Sequence, residues 1–224
     1  MINKRYRDIF EQYIFKGEPT PITIGTLVVF GFSFLLLIVA NFTQISFTLP
    51  FVEPAQEIQY SPVVPIMIFI IYLLGRNWTI GLFLLYLIIG LFIYPIFVLG
   101  GGISYVKNYL FGYFLGYLFA ILTMGWILSL NQHLKGRIIG SLLGVFSMHI
   151  VGFIYCIILA IFRVINFNMI FPIFGAMTTN KILLDILFCI ILMIIAPYIK
   201  NVFWICMKPK PDRKKITPKN PYSE

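Results

Sequence analysis

Long runs without a charged side chain constrain this sequence more than any other feature. No Asp, Glu, Lys or Arg occurs between Arg76 and Lys107 or between Lys107 and Lys135, and similar gaps follow Glu18 and Glu57. These runs match the roughly 20 apolar residues that cross a bilayer core as a helix. A transmembrane β-barrel would instead show roughly 10-residue segments of alternating polarity. Because every backbone amide needs an internal partner in lipid, the runs predict a helical membrane protein.

The composition supports one membrane domain and leaves no room for a separate soluble one. Of the 224 residues, 60% are hydrophobic and 11% are charged, against roughly 25% charged in a typical soluble domain. We predict a cytoplasmic N-terminal segment (1–20), a membrane domain (21–204) and a basic, disordered cytoplasmic tail (205–224). The fold class is an all-α bundle of six transmembrane helices.

The six predicted spans follow the apolar runs. They are placed at about 22–42, 60–75, 78–98, 109–129, 138–162 and 182–203. The stretch 163–180 is apolar too, but Pro172 and Gly175 interrupt it, and proline removes a helix donor. We therefore predict a helix and loop at the membrane surface there and no seventh span.

The basic residues predict the orientation of the bundle. With the N-terminus inside, fourteen of the seventeen Lys and Arg residues fall in inner segments and three in outer ones. Cytoplasmic segments carry this excess in membrane proteins. Both termini are therefore predicted to be cytoplasmic. The net charge of +9 suits anionic lipid headgroups and gives no indication of nucleic acid binding.

Two predicted outer loops carry polar and glycine residues. The first, 43–60, ends at Tyr60, and the second contains Gly101, Gly102, Tyr105 and Asn108. Consecutive glycines let a backbone adopt conformations closed to other residues and approach a ligand closely. The alternative is a plain turn between helices.

Glycines four residues apart lie on one helix face and allow helices to pack closely. Gly112 and Gly116 have this spacing, as do Gly136, Gly140 and Gly144. We interpret both sets as packing features and assign them no role in ligand binding.

Three ionisable residues in or beside the predicted spans are candidates for function. His149 lies in mid-span, where such groups are often functional; alternatively, it is a neutral imidazole bonded to a neighbouring helix. Lys181 and Asp185 share one helix face. Either they pair with each other, or they form a polar wall in which Lys181 meets a carboxylate and Asp185 accepts from N–H donors.

The sequence shows no catalytic or cofactor motif. It contains no Ser-His-Asp or paired-carboxylate arrangement, no H-E-x-x-H or C-x-x-C, and no phosphate loop or dinucleotide fingerprint. We therefore predict that the protein is not an enzyme and has no catalytic residue, cofactor or metal site.

Several segments together resemble a known family. They are YSPVVPIMIFIIYLLG at 60–75, LLYLIIGLFIYPIFVLGGGISY at 84–105 and FGYFLGY at 111–117, preceded by ISFTLPF at 45–51. This pattern resembles BioY, the biotin-binding S-component of energy-coupling-factor (ECF) transporters, and is most similar to its cyanobacterial variant. The resemblance implies a six-helix S-component in a bacterial plasma membrane. Its biotin cavity would lie near the outer face, under the first and third outer loops.

The resemblance also implies partners and ligand contacts. S-components work with a transmembrane coupling subunit and two ATPase subunits, although some BioY proteins are thought to function alone. Biotin needs an acceptor and a donor for its urea ring, a cation or amide for its carboxylate, and aromatic walls. The predicted substrate-binding residues are Tyr60, Gly101, Gly102, Tyr105, Asn108, Tyr113, His149, Lys181 and Asp185.

This sequence departs from the family pattern at three places. Asn108-Tyr109-Leu110 stands where many members have a proline, and acid and base occur in the reverse order in Lys181–Asp185. The first helix lacks the Ala-x-x-x-Ala pattern with which S-components often pack on the coupling subunit. The leading hypothesis is a component that carries biotin across the membrane. The alternative is a non-transporting accessory or structural subunit of a larger membrane complex.

Overall fold

The computed structural model describes residues 22, 24–48, 57–97 and 100–207. The predicted N-terminal segment 1–20 and residues 208–224 of the tail lie outside this part. The main helices are α1 (Ile24–Phe42), α2 (Val63–Leu74), α3 (Arg76–Ile88), α4 (Tyr109–Leu130), α5 (Leu134–Ile161), the short α6 (Ile170–Phe174) and α7 (Ile182–Met207). Helical turns at Ile89–Ile93, Ile103–Lys107, Phe167–Met169 and Gly175–Thr179 connect them.

Five helical segments of the described chain are long and apolar enough to cross a membrane. They contain α1, α3, α4, α5 and α7. The remaining predicted span, α2, is a helix of 12 residues, or about 18 Å at 1.5 Å per residue. Eleven of those residues are buried, because the longer helices surround α2. This short apolar helix therefore forms the centre of the bundle.

The helix boundaries differ from the predicted spans at α2, α3, α5 and α7. Helical structure at α3 runs from Arg76 to Ile93 against a predicted 78–98, and α7 continues to Met207, three residues into the predicted tail. α2 begins at Val63 and not at residue 60, because Pro62 precedes its first turn and Tyr60 lies in a strand. α5 begins at Leu134, four residues before the predicted start. The segment 163–180 forms only short helical turns before α7.

A small β-hairpin lies between α1 and α2. Strand β1 (Ile45–Thr48) pairs antiparallel with β2 (Glu57–Tyr60), and Ile45 lies opposite Tyr60. The sequence analysis predicted helices alone and missed this hairpin. Pairing satisfies the backbone groups that the two strands direct toward each other, and it holds Tyr60 just before the buried helix.

Glycines bring α4 and α5 into close contact. A Cβ at Gly116 would lie 2.5 Å from the Met148 backbone oxygen, and a Cβ at Gly144 would lie 2.9 Å from Ile68 of α2. A Cβ at Gly112 would collide with the ring of Tyr155. The predicted packing role of these glycines is confirmed.

A proline inside α7 is compensated by a basic side chain from α5. Pro197 has no N–H, so the Met193 carbonyl four residues earlier loses its helical donor. Arg137 Nη1 donates to this oxygen at 2.9 Å. The guanidinium of Arg137 and the ammonium of Lys200 also lie 5.5 Å and 4.6 Å from the ring centroid of Tyr72. These contacts join α2, α5 and α7 at the end of the bundle opposite the hairpin.

We expect Gly116→Ala to destabilise the bundle. The added methyl has no room against the Met148 backbone, and such overpacking costs about 1–3 kcal/mol. Thermal unfolding in detergent should show a melting temperature lower by several degrees. Gly31→Ala is the matched control, because a Cβ at Gly31 meets no atom within 4 Å. Equal melting temperatures for the two variants would contradict this account of the α4–α5 contact.

Candidate functional site

A cavity of about 250 Å³ lies between the hairpin end of α2 and helices α4, α5 and α7. Aromatic and aliphatic side chains form most of its wall, and a few polar groups converge on it. The lining residues are Asn41, Gln44, Gln59, Ser61, Val63, Val64, Tyr105, Tyr109, Leu110, Tyr113, Phe114, Tyr117, Met148, His149, Met177, Lys181 and Asp185. An apolar pocket with few polar groups is typical of small-molecule sites.

The carboxylate of Asp185 is the centre of the polar wall. Asp185 is only 2% exposed. The Tyr60 hydroxyl donates to its Oδ1 at 2.9 Å, and His149 Nε2 lies 3.2 Å from its Oδ2. A buried charge is costly unless it is paired and hydrogen-bonded. β2, α5 and α7 therefore meet at one carboxylate.

The other ring nitrogen of His149 continues the network to α4. His149 Nδ1 lies 3.2 Å from Thr178 Oγ1, which lies 3.0 Å from the hydroxyl of Tyr113. His149 and Thr178 are 3% and 5% exposed. A chain of hydrogen bonds therefore runs from Tyr60 through Asp185, His149 and Thr178 to Tyr113 at the cavity wall.

Glycine in α5 sets the position of Tyr113. A Cβ at Gly152 would lie 2.5 Å from the ring of Tyr113. With only hydrogen at this position, the ring rests directly against the α5 backbone. From there Tyr113 makes an edge contact with His149, with ring centroids 6.0 Å apart. A helix-packing glycine thus positions a cavity residue.

Tyr105 lines the cavity and belongs to a cluster of aromatic rings. Its ring centroid lies 4.8 Å from that of Phe97 and 5.8 Å from that of Phe114. Its hydroxyl is buried and has no hydrogen-bond partner within the described residues. A buried hydroxyl without a partner is costly, so a ligand in the cavity that accepts this hydrogen bond would relieve the cost.

Burial also keeps the phenols at the site neutral. Desolvation, followed by the nearby carboxylate of Asp185, raises the pKa of Tyr60 well above its usual range. Desolvation raises the pKa of Tyr105 in the same direction. Both hydroxyls keep their protons at neutral pH and act as hydrogen-bond donors.

Lys181 lies at the start of α7 and lines the same cavity. Its Nζ approaches Met177 Sδ at 3.8 Å, and sulfur is only a weak acceptor. Asp185 instead bonds to His149 and Tyr60. Lys181 and Asp185 therefore line one cavity with different polar partners and do not form a simple Lys–Asp pair. The role of this wall in binding a ligand stays a prediction.

Four predicted site residues, Tyr60, Gly101, Gly102 and Asn108, are not among those that line the cavity. Tyr60 contributes to the site through its hydrogen bond to Asp185. Asn108 caps α4 and accepts from the Leu110 backbone N–H at 2.9 Å. Gly102 adopts a φ of +83° and donates to the Gly90 oxygen at 2.9 Å, and a Cβ at Gly101 would lie 2.5 Å from that oxygen. The glycine loop is thereby closed on the end of α3. The glycine contacts are those of a tight turn that precedes Tyr105, whereas Asn108 follows Tyr105 as the N-cap of α4.

The structure adds polar residues that the sequence analysis did not select. Asn41 is 1% exposed, and its side-chain amide donates to the Ile96 oxygen at 2.8 Å. Thr178 joins two predicted site residues. Thr178 lies in the segment Thr178–Lys181, whose polarity within an apolar stretch was a usable signal. Asn41 ends an apolar run and resembled an ordinary helix end.

Comparison with known proteins relates this fold to a class of transporter. The crystal structure at 2.1 Å of the S-component for biotin from an ECF-type ABC transporter matches with a TM-score of 0.59 and 19% identity. The match covers 81% of this chain and 95% of that chain. The bundle therefore has the fold of an S-component.

The family follows from the sequence itself. Residues 22–204 match the BioY family, so the chain belongs to it. No curated protein matches this chain. The membership agrees with the resemblance seen in the segments at 60–75 and 84–105, and it spans the whole predicted membrane domain.

We expect Tyr60→Phe to lower the stability of the empty protein. The change removes one of the two protein donors to the buried Asp185 carboxylate, and a hydrogen bond to a charged group is worth about 1.5–3 kcal/mol. The melting temperature in detergent should fall by several degrees. Tyr94→Phe is the control, since Tyr94 is 68% exposed. A Tyr60→Phe variant as stable as the control would show that this bond contributes nothing.

Proposed function

We propose that this protein is the biotin-binding component of a membrane uptake system. The observation that carries the proposal is one cavity that combines a fixed carboxylate, an ammonium and aromatic walls in a member of the BioY family. Its volume of about 250 Å³ is near the lower end of ligand pockets, about 300–1,000 Å³. It therefore suits a small molecule of the size of a vitamin.

The polar groups match the demands of biotin one by one. The two N–H donors of the urea ring need an acceptor, and Asp185 lines the cavity with lone pairs left after Tyr60 and His149 have bonded. The buried Tyr105 hydroxyl is a donor for the urea carbonyl. Lys181 supplies a cation for the carboxylate, and Tyr113 supplies apolar wall. We assign the contacts in this way.

We further propose that the cavity opens toward the outside and that the protein carries biotin across a bacterial plasma membrane. The cavity lies at the hairpin end of the bundle, and Arg76, Arg137 and Lys200 lie at the other end. The end richer in basic residues is ordinarily cytoplasmic. This distribution supports cytoplasmic termini and an outer binding site.

The energy for transport has to come from elsewhere or from the gradient of the ligand. The sequence has no phosphate-binding loop, so we propose a transmembrane coupling subunit and ATPase subunits as partners. α1 has Gly25 and Gly31 but no Ala-x-x-x-Ala pattern on which a coupling subunit would pack. The lack of this pattern supports a second proposal, that the protein transports its ligand without a coupling subunit.

Titration of the purified protein with biotin tests the proposal. We expect a dissociation constant of micromolar or tighter, because millimolar binding corresponds to only about −4 kcal/mol and is too weak for scavenging. Asp185→Asn should weaken binding roughly 10- to 100-fold, from the loss of about 1.5–3 kcal/mol in charge-assisted hydrogen bonding. Lys181→Gln should weaken binding in the same direction.

Lys107→Gln is the control for charge. Lys107 is exposed and does not line the cavity, so this variant should bind biotin like the wild type. Binding no tighter than millimolar in the wild type would refute the proposal. Growth rescue of a biotin auxotroph then separates a transporter from an accessory subunit, which would instead copurify with a stable complex that does not transport.

A further inference from the structure

His149 is the imidazole among the described residues that line the cavity. An imidazole can hold a proton on one ring nitrogen or on both, and both nitrogens donate hydrogen bonds in the protonated form. His149 is 3% exposed, yet it lines the cavity and bonds at both ring nitrogens. Its charge state therefore affects the ligand and the network together.

When His149 is neutral, every hydrogen bond of the network can form, and the donors all point the same way along the chain. Nε2–H donates to Asp185 Oδ2, so Nδ1 is left as an acceptor. The Thr178 hydroxyl then donates to Nδ1, and the Tyr113 hydroxyl donates to Thr178 Oγ1. In this direction the hydroxyl proton of Tyr113 points away from the cavity and toward Thr178.

Protonation of His149 at Nδ1 reverses this chain. The new Nδ1–H donates to Thr178 Oγ1, so the Thr178 hydroxyl turns its proton to the Tyr113 oxygen. The hydroxyl of Tyr113 is then free to donate into the cavity that it lines. One N–H bond forms with a proton from water, and the two hydroxyl groups only rotate.

The charges at the cavity favour this reversal when an anion binds. Among the described lining residues, Lys181 and Asp185 carry formal charge and cancel each other. A ligand carboxylate would leave one negative charge without compensation in a desolvated site, which is unfavourable. A proton on His149 restores neutrality and at the same time provides a hydroxyl donor.

We propose that binding of a monoanionic ligand in this cavity is coupled to the uptake of one proton at His149, relayed to the ligand through Thr178 and Tyr113. The inference rests on the proposed function, since it takes the biotin carboxylate as the anion. Coupling of this kind makes the affinity for the ligand depend on pH. Binding is tightest at low pH and weakens as pH rises, because the concentration of free protons falls.

Other titratable groups surround His149. The phenols and the two thiols among them ordinarily stay neutral below pH 8. The titratable groups that face the site are Tyr60 from β2, Tyr105 from the turn before α4, Tyr109, Tyr113 and Tyr117 from α4, Cys156 from α5, and Lys181, Asp185 and Cys189 from the α7 region.

Calorimetric titration with biotin in buffers of different ionisation enthalpy measures the protons taken up. We expect close to one proton per biotin in the wild type above neutral pH. Between pH 5.5 and 8.5 the dissociation constant should rise by up to about tenfold per pH unit on the alkaline side, as one-proton linkage requires. Biotinamide, which has no carboxylate, should bind without proton uptake.

Two sets of variants locate the proton. His149→Gln should bind biotin more weakly than the wild type, with no proton uptake and a dissociation constant that no longer varies with pH. Thr178→Val removes the relay and should reduce uptake, whereas Thr178→Ser keeps the hydroxyl and should retain it. Thr178→Val and Thr178→Ser each change the shape of the side chain only slightly. These two variants therefore test the relay even if His149→Gln fails to fold.

The results distinguish the inference from the function on which it rests. Tight biotin binding without proton uptake in the wild type would overturn the inference and leave the proposed function intact. Proton uptake that persists in His149→Gln and disappears in Lys181→Gln would also overturn it. Absence of biotin binding at any pH would refute the proposed function itself, and the inference with it.

Discussion

A carboxylate inside an apolar bundle has to be surrounded by donors, and this requirement organises the site of the protein. Asp185 is almost fully buried and accepts from Tyr60, while His149 contacts its second oxygen. These partners come from a strand and from another helix, so the hairpin, α5 and α7 are aligned around one charged group. The cost of an unpaired buried charge makes each partner depend on the others, and the cavity wall depends on all three.

Close packing of the helices also fixes the positions of side chains inside the bundle. α4 and α5 approach closely because glycines replace side chains along their contact, and at Gly152 the space is filled by the ring of Tyr113. At the opposite end, Arg137 satisfies the carbonyl that Pro197 leaves without a donor. In both cases a contact that fills space or satisfies a hydrogen bond also holds an aromatic or basic side chain in one position inside the bundle.

The predictions from sequence succeeded where one residue type carries the information. Apolar runs without charge located the helices to within a few residues, and glycine spacing identified the close helix contact. Segment-level resemblance identified the BioY family, which the match over residues 22–204 confirms. The β-hairpin was missed because its strands are four residues long and pair across an intervening segment of the loop. The ligand contacts remain predictions.

The sequence by itself determined that this is a helical membrane protein and to which family it belongs, because hydrophobicity and residue spacing are local properties along the chain. Tertiary structure alone decided which polar residues act together. His149, Thr178 and Asp185 come from different segments, and only the folded bundle joins them through hydrogen bonds of about 3 Å. The same folding placed Gly101 and Gly102 in a tight turn and Asn108 at the N-cap of α4, all outside the cavity lining. Hydrogen bonding needs contact, and contact between distant segments is a property of the packed chain.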